Sequence, residues 1–586
     1  MALKLNELHA QDAFDVVVVG AGGAGMSAAL FAAIEGARVL VVEHTQFVGG
    51  STAWSGGTTW IPNTHHAASV AAQDSPQNAQ AYLAHAVGGR GSEALRRVML
   101  ATGPQAIAHI EAHSQVRYRA YPLHPDYLSE LPGSTLQGRA LEPLPFDGRK
   151  LKHLFPLLRP PIPEFTVLGG MMVDRNDIAH LLRMGASMAS LRHCARLLCR
   201  HVADRMRHPR GTRLVMGNAL IARLLYSLDQ RDVALLTGTS VDAIAARDGD
   251  VHEVVLRRGN DRQVVRVSGG VVLASGGFNR HAQWRERLLP GVPLAWCPGA
   301  PGHTGEAHDL ALALGARHGT GALSHANWAP VSLRRRADGS TAVFPHFLMD
   351  RAKPGMITVN RAGKRFVNES TSYHQFALRM QEANHTTSCI PAFLVGDAEA
   401  LRKYGMGMVR PGGRGLAAFV ADGYLAQADT LDALARQLGI DAAGLEDSVA
   451  RINRFAQTGI DEDFDRGSTA YQRNLGDAGW HGPNPSIGPL QRAPYYAVRL
   501  YPGDIGAATG LVTDTDARVL NARDQPIGGL YATGNDMHSV MGGVYPGPGI
   551  TLGPGLVFAY IAARHAAARA RAVGRAQDHV QAGATA

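Results

Sequence analysis

Phe14-Asp15-Val16-Val17-Val18-Val19 runs straight into Gly20-Ala21-Gly22-Gly23-Ala24-Gly25, and this junction decides the fold. The first six residues are a short apolar run rich in β-branched side chains, and residues 24–34 are rich in helix formers. The glycines therefore stand at a strand-to-helix turn. Residues 38–42 read as a second buried strand, which completes βαβ, the unit of a dinucleotide-binding sheet. The turn fits G-x-G-x-x-G, in which glycines permit a tight turn, close backbone approach to a pyrophosphate and tight helix–strand packing, with the helix N-terminus facing the negative charge. Glu43 closes the second strand, about where a carboxylate binds ribose hydroxyls, and His44 follows it. Gly20, Gly22, Gly23, Ala24, Gly25, Glu43 and His44 are thus expected to hold a nucleotide.

Next comes Gly49-Gly50-Ser51-Thr52-Ala53-Trp54-Ser55-Gly56-Gly57, a second Gly-rich loop of the kind a bulky tricyclic ring needs. It favours a flavin over a nicotinamide and adds Gly50, Ser51, Thr52, Ser55, Gly56 and Gly57 to the expected cofactor set. Strands expected at 241–244, 253–257 and 264–267, then an apolar run at 270–274 before Ser275-Gly276-Gly277-Phe278, look like a return to the first sheet. From about Pro298 to Trp480 the chain changes to mixed strands, Gly-rich turns and helices such as 430–438 and 445–455. The last part holds a strand-like 511–513, Leu530-Tyr531-Ala532-Thr533-Gly534-Asn535 and an apolar helix from Pro554. The expected fold class is α/β, a Rossmann-like FAD-binding domain with an inserted α+β catalytic domain that caps the substrate. Its parts are 11–297 and 485–572 for the FAD-binding domain, 298–484 for the insertion and 573–586 for a frayed tail.

A chain of 586 residues exceeds one ordinary core, in keeping with two domains. Its net charge of +9 is spread along the sequence without a recognition motif, which argues against nucleic acid. The densest basic stretch runs from Arg192 through Arg196, Arg200, Arg205, Arg207 and Arg210 to Arg213, interleaved with Leu191, Leu197, Leu198 and Val202 at helical spacing. Two readings stand: a solvated helix face, or a surface resting peripherally on anionic lipid where an apolar substrate or a quinone is stored. The four cysteines, Cys194, Cys199, Cys297 and Cys389, lack partners at metal spacing, so reduced thiols and no metal are expected. With no signal-like N-terminus and no 18-residue apolar run, a cytoplasmic protein is expected.

The second glycine loop, followed by Trp60-Ile61-Pro62, resembles that of the fumarate-reductase-like flavoproteins and, within them, the 3-ketosteroid Δ1-dehydrogenases. The resemblance continues through Leu273 to Phe278, Val359 to Ser370 and Gly529 to Asn535, from about residue 14 to 568. It implies FAD, with Gly276, Gly277, Gly534, Asn535, Thr551 and Leu552 near the flavin. Covalent attachment in the superfamily uses a His in the second glycine loop, which has none here, so non-covalent FAD is implied.

Desaturating the bond between the carbons α and β to a ketone removes a weakly acidic proton from one carbon and a hydride from its neighbour. The flavin can accept the hydride, while the protein must supply a base and hydrogen-bond donors for the ketone oxygen. A tyrosine can serve either purpose, its reference pKa of about 10 lying nearer an activated α-proton than a carboxylate's does. Val544-Tyr545-Pro546-Gly547-Pro548-Gly549 resembles the family's Tyr-x-Gly-x-Gly, which assigns Tyr545 and the Gly549 N–H to the 3-keto oxygen. Tyr373 stands four residues after Glu369, where fumarate reductases carry a proton-delivering arginine and the ketosteroid enzymes the base for C2. Tyr127 is chosen as the tyrosine that hydrogen-bonds this base and lowers its pKa, with Tyr118 and Tyr121 nearby as alternatives. The implied reaction passes a proton from C2 to Tyr373 and a hydride from C1 to flavin N5, with an electron acceptor the sequence leaves unknown.

Two segments depart from the family pattern. Gly506-Ala507-Ala508-Thr509-Gly510 replaces Gly-Thr-Lys-Gly-Gly, and 324–347, with His325, Trp328 and His346, has no evident counterpart. His303 and His308 are read as structural. The rival readings are a Δ4-(5α)-dehydrogenase of the same steroids, a fumarate- or urocanate-type reductase, and a non-catalytic flavin or steroid binder.

Overall fold

The computed structural model describes residues 5–8, 12–185, 187–347 and 350–584. Two sheets organise them. The first contains β1 (Ala13–Val19), β2 (Val39–Glu43), β3 (Ala234–Thr237), β4 (Ser240–Arg247), β5 (Asp250–Arg258) and β6 (Asp261–Leu273). The second contains β7 (Ala326–Arg335), β8 (Thr341–Pro345), β9 (Met356–Val359), β10 (Ala392–Gly396), β11 (Leu425–Ala428) and β12 (Tyr495–Ala507). β13 (Arg518–Leu520) and β14 (Pro526–Ala532) return to the first.

The βαβ unit forms where predicted, with α1 (Gly23–Ile34) between β1 and β2. The parallel part of the sheet runs β3-β2-β1-β6, and β14 joins β6 in parallel. Residues 24–32 of α1 are almost all buried because helices cover the face turned from the sheet; α1 is apolar on every side for that reason. Of the remaining helices, α2 (Met188–Arg205) is the basic stretch and α3 (Met216–Asp229) packs on α1. α4 (Tyr373–Ala383) belongs to the insertion, and α5 (Leu552–Ala584) packs along α1, where Phe31 meets Tyr560 edge-on at 4.9 Å. α5 runs past residue 572, where a frayed tail was expected to start.

Two sequence expectations need correction. Residues 264–267, expected as a strand, and the apolar run at 270–274 that follows belong to one strand, β6, which ends at Leu273. Its first half forms a half-exposed hairpin with β5, leaving Val264 41% exposed, and its second half lies between β1 and β14, where Val271 to Leu273 are fully covered. The change of cover changes the hydrophobic period and imitates a break. Residues 511–513 form no strand: Leu511 and Thr513 make only single bridges, to His318, Met537 and Val519. The expected helices at 430–438 and 445–455 are present as Leu431–Leu438, capped by Thr430, and Ala442–Thr458.

The second sheet is antiparallel, in the order β8-β7-β12-β10-β9, with β11 also on β12. Alternate residues of β10 enter different cores: Ala392 and Leu394 join Met380 and Val498, while Phe393 and Val395 join Leu445 and Ile452. Burial on both faces explains why the strand is apolar throughout. This sheet draws β12 from beyond residue 484, so its strands come from both sides of the expected 484/485 boundary. A small sheet of Thr59–Trp60, Tyr118–Ala120 and Ala140–Pro143 fills the space beside the glycine loops. Among the described residues no helix is long and apolar enough to cross a membrane.

Candidate active site

A cavity of about 540 Å³ starts at the C-terminal ends of β1 and β2, where Val19 and Glu43 line it, and reaches Tyr373 in the insertion. Strand ends of a parallel sheet are where such folds bind ligands. Of the residues expected to hold the cofactor, Gly25 and Gly277 do not reach the cavity; the rest line it. A Cβ on Gly25 would stand 1.9 Å from the Gly20 carbonyl oxygen, so this glycine is spent on helix–strand contact. Gly277 gives its N–H to Asp536 at 2.8 Å and shapes the turn behind the cavity.

Glu43 accepts from the Ala21 N–H and from the Thr45 N–H, each at 2.9 Å, and from the Thr45 hydroxyl at 2.6 Å. A carboxylate has lone pairs beyond these for ribose hydroxyls. The Thr52 hydroxyl accepts from Gly23 N–H at 3.2 Å, tying the two glycine loops together. Arg159 Nε and His303 Nδ1 are buried polar atoms on the cavity wall without hydrogen-bond partners among the described residues. Such orphans suit a polar cofactor, and together with the helix N-terminus and Glu43 they fit a flavin dinucleotide. Burial, with Arg280 nearby, pulls His303 down to about 4, so its ring is a neutral contact. Both Arg159 and His303 were missed or set aside in the sequence, since neither lies in a motif. His308, read as structural in the sequence, is buried and faces Asp536 at 3.2 Å. Against burial, which pushes Asp536 up, His308 and Ser275 hold its carboxyl below the usual range.

At the other end α4 sets the first tyrosine. Ser372 caps the helix, accepting from Gln375 N–H at 3.3 Å, and Tyr373 begins the buried stripe Tyr373, Phe376, Ala377, Met380. The rings of Tyr373, Tyr127 and Tyr545 lie with centroids 5.2 to 5.8 Å apart, and all three line the cavity. Tyr127 donates to Tyr373 at 3.4 Å, and its backbone N–H binds the Pro546 carbonyl at 2.9 Å, which locks the Tyr127 loop to the loop bearing Tyr545. Tyr118 and Tyr121 stay apart; Tyr121 meets the Thr58 hydroxyl at 3.3 Å. Gly549 lies on the same wall at φ +89°, and its N–H has no acceptor among the described residues.

Burial pushes all three phenols up, Tyr373 and Tyr127 well above the ordinary value. The expected lowering of Tyr373 by Tyr127 does not appear: burial comes first, and Tyr127 and Tyr545 add to the rise. The hydroxyls of Tyr373 and Thr551 hold back part of the rise at Tyr545. His374, missed in the sequence, accepts from the Trp328 N–H at 3.1 Å and donates to the Gly543 carbonyl at 3.2 Å. Burial pulls it to about 4, so a neutral imidazole bridges β7 to the loop of Tyr545.

Ile162, Phe165, Met172, Ile178, Phe344 and Phe347 make this end of the cavity apolar, and Phe347 packs on Tyr373 at 4.9 Å. The departing segments find their places: Phe344 to Phe347 roof the cavity and Gly506 lines it. The arrangement offers an apolar-walled cavity lined by three phenols and the Gly549 backbone, whose N–H has no acceptor among the described residues, equipment for binding and deprotonating a hydrophobic ketone.

The model of a family described as FAD binding domain matches residues 15–552. The 4-oxocyclohex-2-ene-1-carboxylate 5-dehydrogenase of Sinomonas cyclohexanicum is 36% identical over 96% of this chain and 95% of its own length. The 3-oxosteroid 1-dehydrogenase of Mycolicibacterium smegmatis is 36% identical over 95% and 98%. The crystal structure of 3-ketosteroid Δ1-dehydrogenase from Sterolibacterium denitrificans, in complex with 1,4-androstadiene-3,17-dione, superposes with a TM-score of 0.88 at 36% identity, covering 95% of this chain and all of that one.

Proposed function

Because the chain belongs to this FAD-binding family of flavin dehydrogenases, we propose that it desaturates the C1–C2 bond of 3-ketosteroids with FAD as its cofactor. The observation that carries the reading is the meeting of Tyr373, Tyr127, Tyr545 and Gly549 on the wall of one largely apolar cavity. FAD, when bound, supplies the acceptor for the hydride from C1. The Tyr545 hydroxyl and the Gly549 N–H donate to the 3-keto oxygen and stabilise the charge that builds there as the C2 proton leaves. The Tyr373 oxygen takes that proton. It does so as a phenolate, which the N-terminus of α4 favours, since the helix dipole stabilises negative charge by about 0.3–1 kcal/mol there. Tyr127 positions Tyr373, and the aromatic and aliphatic walls exclude water.

The relative acting on an oxocyclohexene carboxylate is equally similar, so its substrate class is the competing reading. A carboxylate needs a cation at the substrate end. Arg159, the only Arg or Lys lining the cavity among the described residues, donates to the Thr45 hydroxyl beside Glu43, at the nucleotide end. This favours the steroid. The test is anaerobic bleaching of the flavin absorption by a 4-ene-3-ketosteroid, a 5α-3-ketosteroid and the oxocyclohexene carboxylate, with product identification. A 1,4-diene from the first is expected. Bleaching by the carboxylate alone would refute the steroid assignment, and a product desaturated only at C4–C5 would move the activity to that bond.

We also propose that α2 rests on anionic lipid at the cytoplasmic membrane face. Met188, Leu191, Val202 and Met206 are exposed apolar side chains on or next to it, Met188 by 79%, and Arg192, Arg196 and Arg205 are exposed among them. Arg210 and Arg213, expected in the same face, turn inward to Asn218 and to Asp174 and Asp177. Leu197 packs on Val173, which lines the substrate end of the cavity, so an apolar steroid and a membrane quinone as electron acceptor would be met on one side. Sedimentation with vesicles should show binding that needs anionic lipid and is lost when Arg192, Arg196 and Arg205 become Ala; equal recovery on neutral vesicles would overturn it.

A further inference from the structure

His65 and His66 open a short 3-10 turn, His65–Val70, that follows Trp60-Ile61-Pro62. Side chains of adjacent residues on such a turn normally diverge, because successive positions are rotated by about 120°. Here the two imidazoles lie with centroids 4.0 Å apart, and both Nε2 atoms aim at one oxygen of Glu111, at 3.1 Å and 2.9 Å. The three donor atoms all lie within 4.8 Å of one another.

The carboxylate is held for this role. Its other oxygen accepts from the Tyr118 N–H at 2.7 Å, which fixes the plane of the group from behind. Glu111 and His66 are largely buried, their side chains 10% and 16% exposed, whereas His65 is 53% exposed and leaves a side open to solvent. Two imidazoles and a carboxylate with a free fourth position are the donor set of an open zinc site, in which metal–ligand distances of about 2.0–2.2 Å place neighbouring donor atoms roughly 3.4 Å apart. The observed spacings from Glu111 to the histidines need only a few tenths of an ångström of expansion. The orienting bond from the Tyr118 N–H to Glu111 is the kind of outer partner that metal ligands carry.

We propose that His65, His66 and Glu111 bind one zinc-like divalent transition-metal ion. The sequence hides the site, since the ligands come from a histidine pair and a glutamate 45 residues later on the helix Glu93–His113. The ion would staple three elements: the turn after the Thr59–Trp60 strand, that helix, and the Tyr118–Ala120 strand. These surround the small sheet in which Trp60 donates through its backbone to Gly549 at 3.2 Å and through its indole to Asp126, next to Tyr127, at 2.8 Å. The ion therefore stabilises the buttress of the keto-oxygen hole without touching substrate or flavin.

The test uses the whole flavin-loaded protein, stripped with a chelator and titrated with Zn²⁺ alone by calorimetry, with metal content and Tm measured beside it. One ion per chain is expected, with a Kd below the micromolar range and a rise in Tm, because a ligand that binds only the folded state stabilises it by mass action. Glu111→Gln, which keeps the size of the side chain, and His65→Ala, at an exposed position, should each lose the tight event and the rise in Tm. The absence of a saturable one-to-one event, or equal zinc binding and Tm response in both variants, would overturn the proposal. Weak binding at several sites that the variants leave unchanged means an adventitious ion only, and overturns it equally.

Discussion

Gly549→Ala strikes the proposed keto-oxygen hole where it is tightest. At φ +89° a Cβ would stand 2.3 Å from the Thr58 carbonyl oxygen, 2.5 Å from its carbon and 2.8 Å from the Thr59 nitrogen. The Thr58 side cannot yield freely, because Thr59 and Trp60 are paired to Leu141 and Ala140 and Trp60 is hydrogen-bonded to Gly549 itself. The 549 backbone must therefore move by roughly 1 Å, and a displacement of that order in a positioned group costs about 100-fold in rate. Loss of the donor altogether sets the ceiling, about 100- to 1,000-fold, or ~2.7–4 kcal/mol. The left-handed backbone adds a separate cost of about 1–2 kcal/mol to folding. Stopped-flow flavin reduction at saturating steroid, with FAD content and steroid affinity measured apart, should show a rate lowered 100- to 1,000-fold with FAD retained. A rate equal to that of the unsubstituted protein would refute the role of the 549 amide.

Tyr373→Phe removes the base and should slow flavin reduction by about 10²–10⁴-fold while FAD and steroid still bind; unchanged turnover would sink the assignment. Since burial holds the Tyr373 phenol well above its ordinary value, the rate should climb with pH, about tenfold per unit, without levelling below about pH 10. Stability should run the other way: Tyr121 and Tyr531, raised to about 12 by burial, and Tyr373 stay neutral in the folded chain but ionise in the unfolded one. Their contribution is whole below about pH 10 and is lost as pH rises through the folded values, so Tm should fall in that alkaline range. Arg139→Met would leave Asp74 and Asp126 buried without their shared partner at 2.6 and 2.7 Å, Asp126 being already pushed up to about 6 by burial. A loss of about 3–5 kcal/mol in denaturant unfolding is expected, and an unchanged midpoint would contradict it.

What could be read in the sequence and what could not divide along physical lines. The βαβ turn and the 49–57 loop are local: neighbouring residues shape them, and their glycines mark where backbone must approach backbone or ligand. Motif membership alone did not separate Gly22, which opens on the cavity, from Gly25, which is closed against the Gly20 carbonyl, because that difference is set by helix–strand packing. Arg159, His303 and His374 reach their places from segments far apart in the chain and carry no spacing that could announce them.

The tyrosines make the same point within one site. Tyr373 is positioned by its own neighbours, a serine cap before it and an apolar stripe at 373, 376, 377 and 380, so its place on the helix follows from the local stretch 372–380. Tyr127 is placed apart from Tyr118 and Tyr121 by long-range bonds, its backbone N–H to Pro546 and its hydroxyl to Tyr373, which no local pattern encodes. Their pKa values are less local still: burial and the neighbouring phenols raise them, opposite to the lowering that pairing alone suggested. The identity of a base can thus be read from a motif, while its basicity belongs to the cavity that buries it, where the helix N-terminus behind Tyr373 is a feature the local sequence also builds.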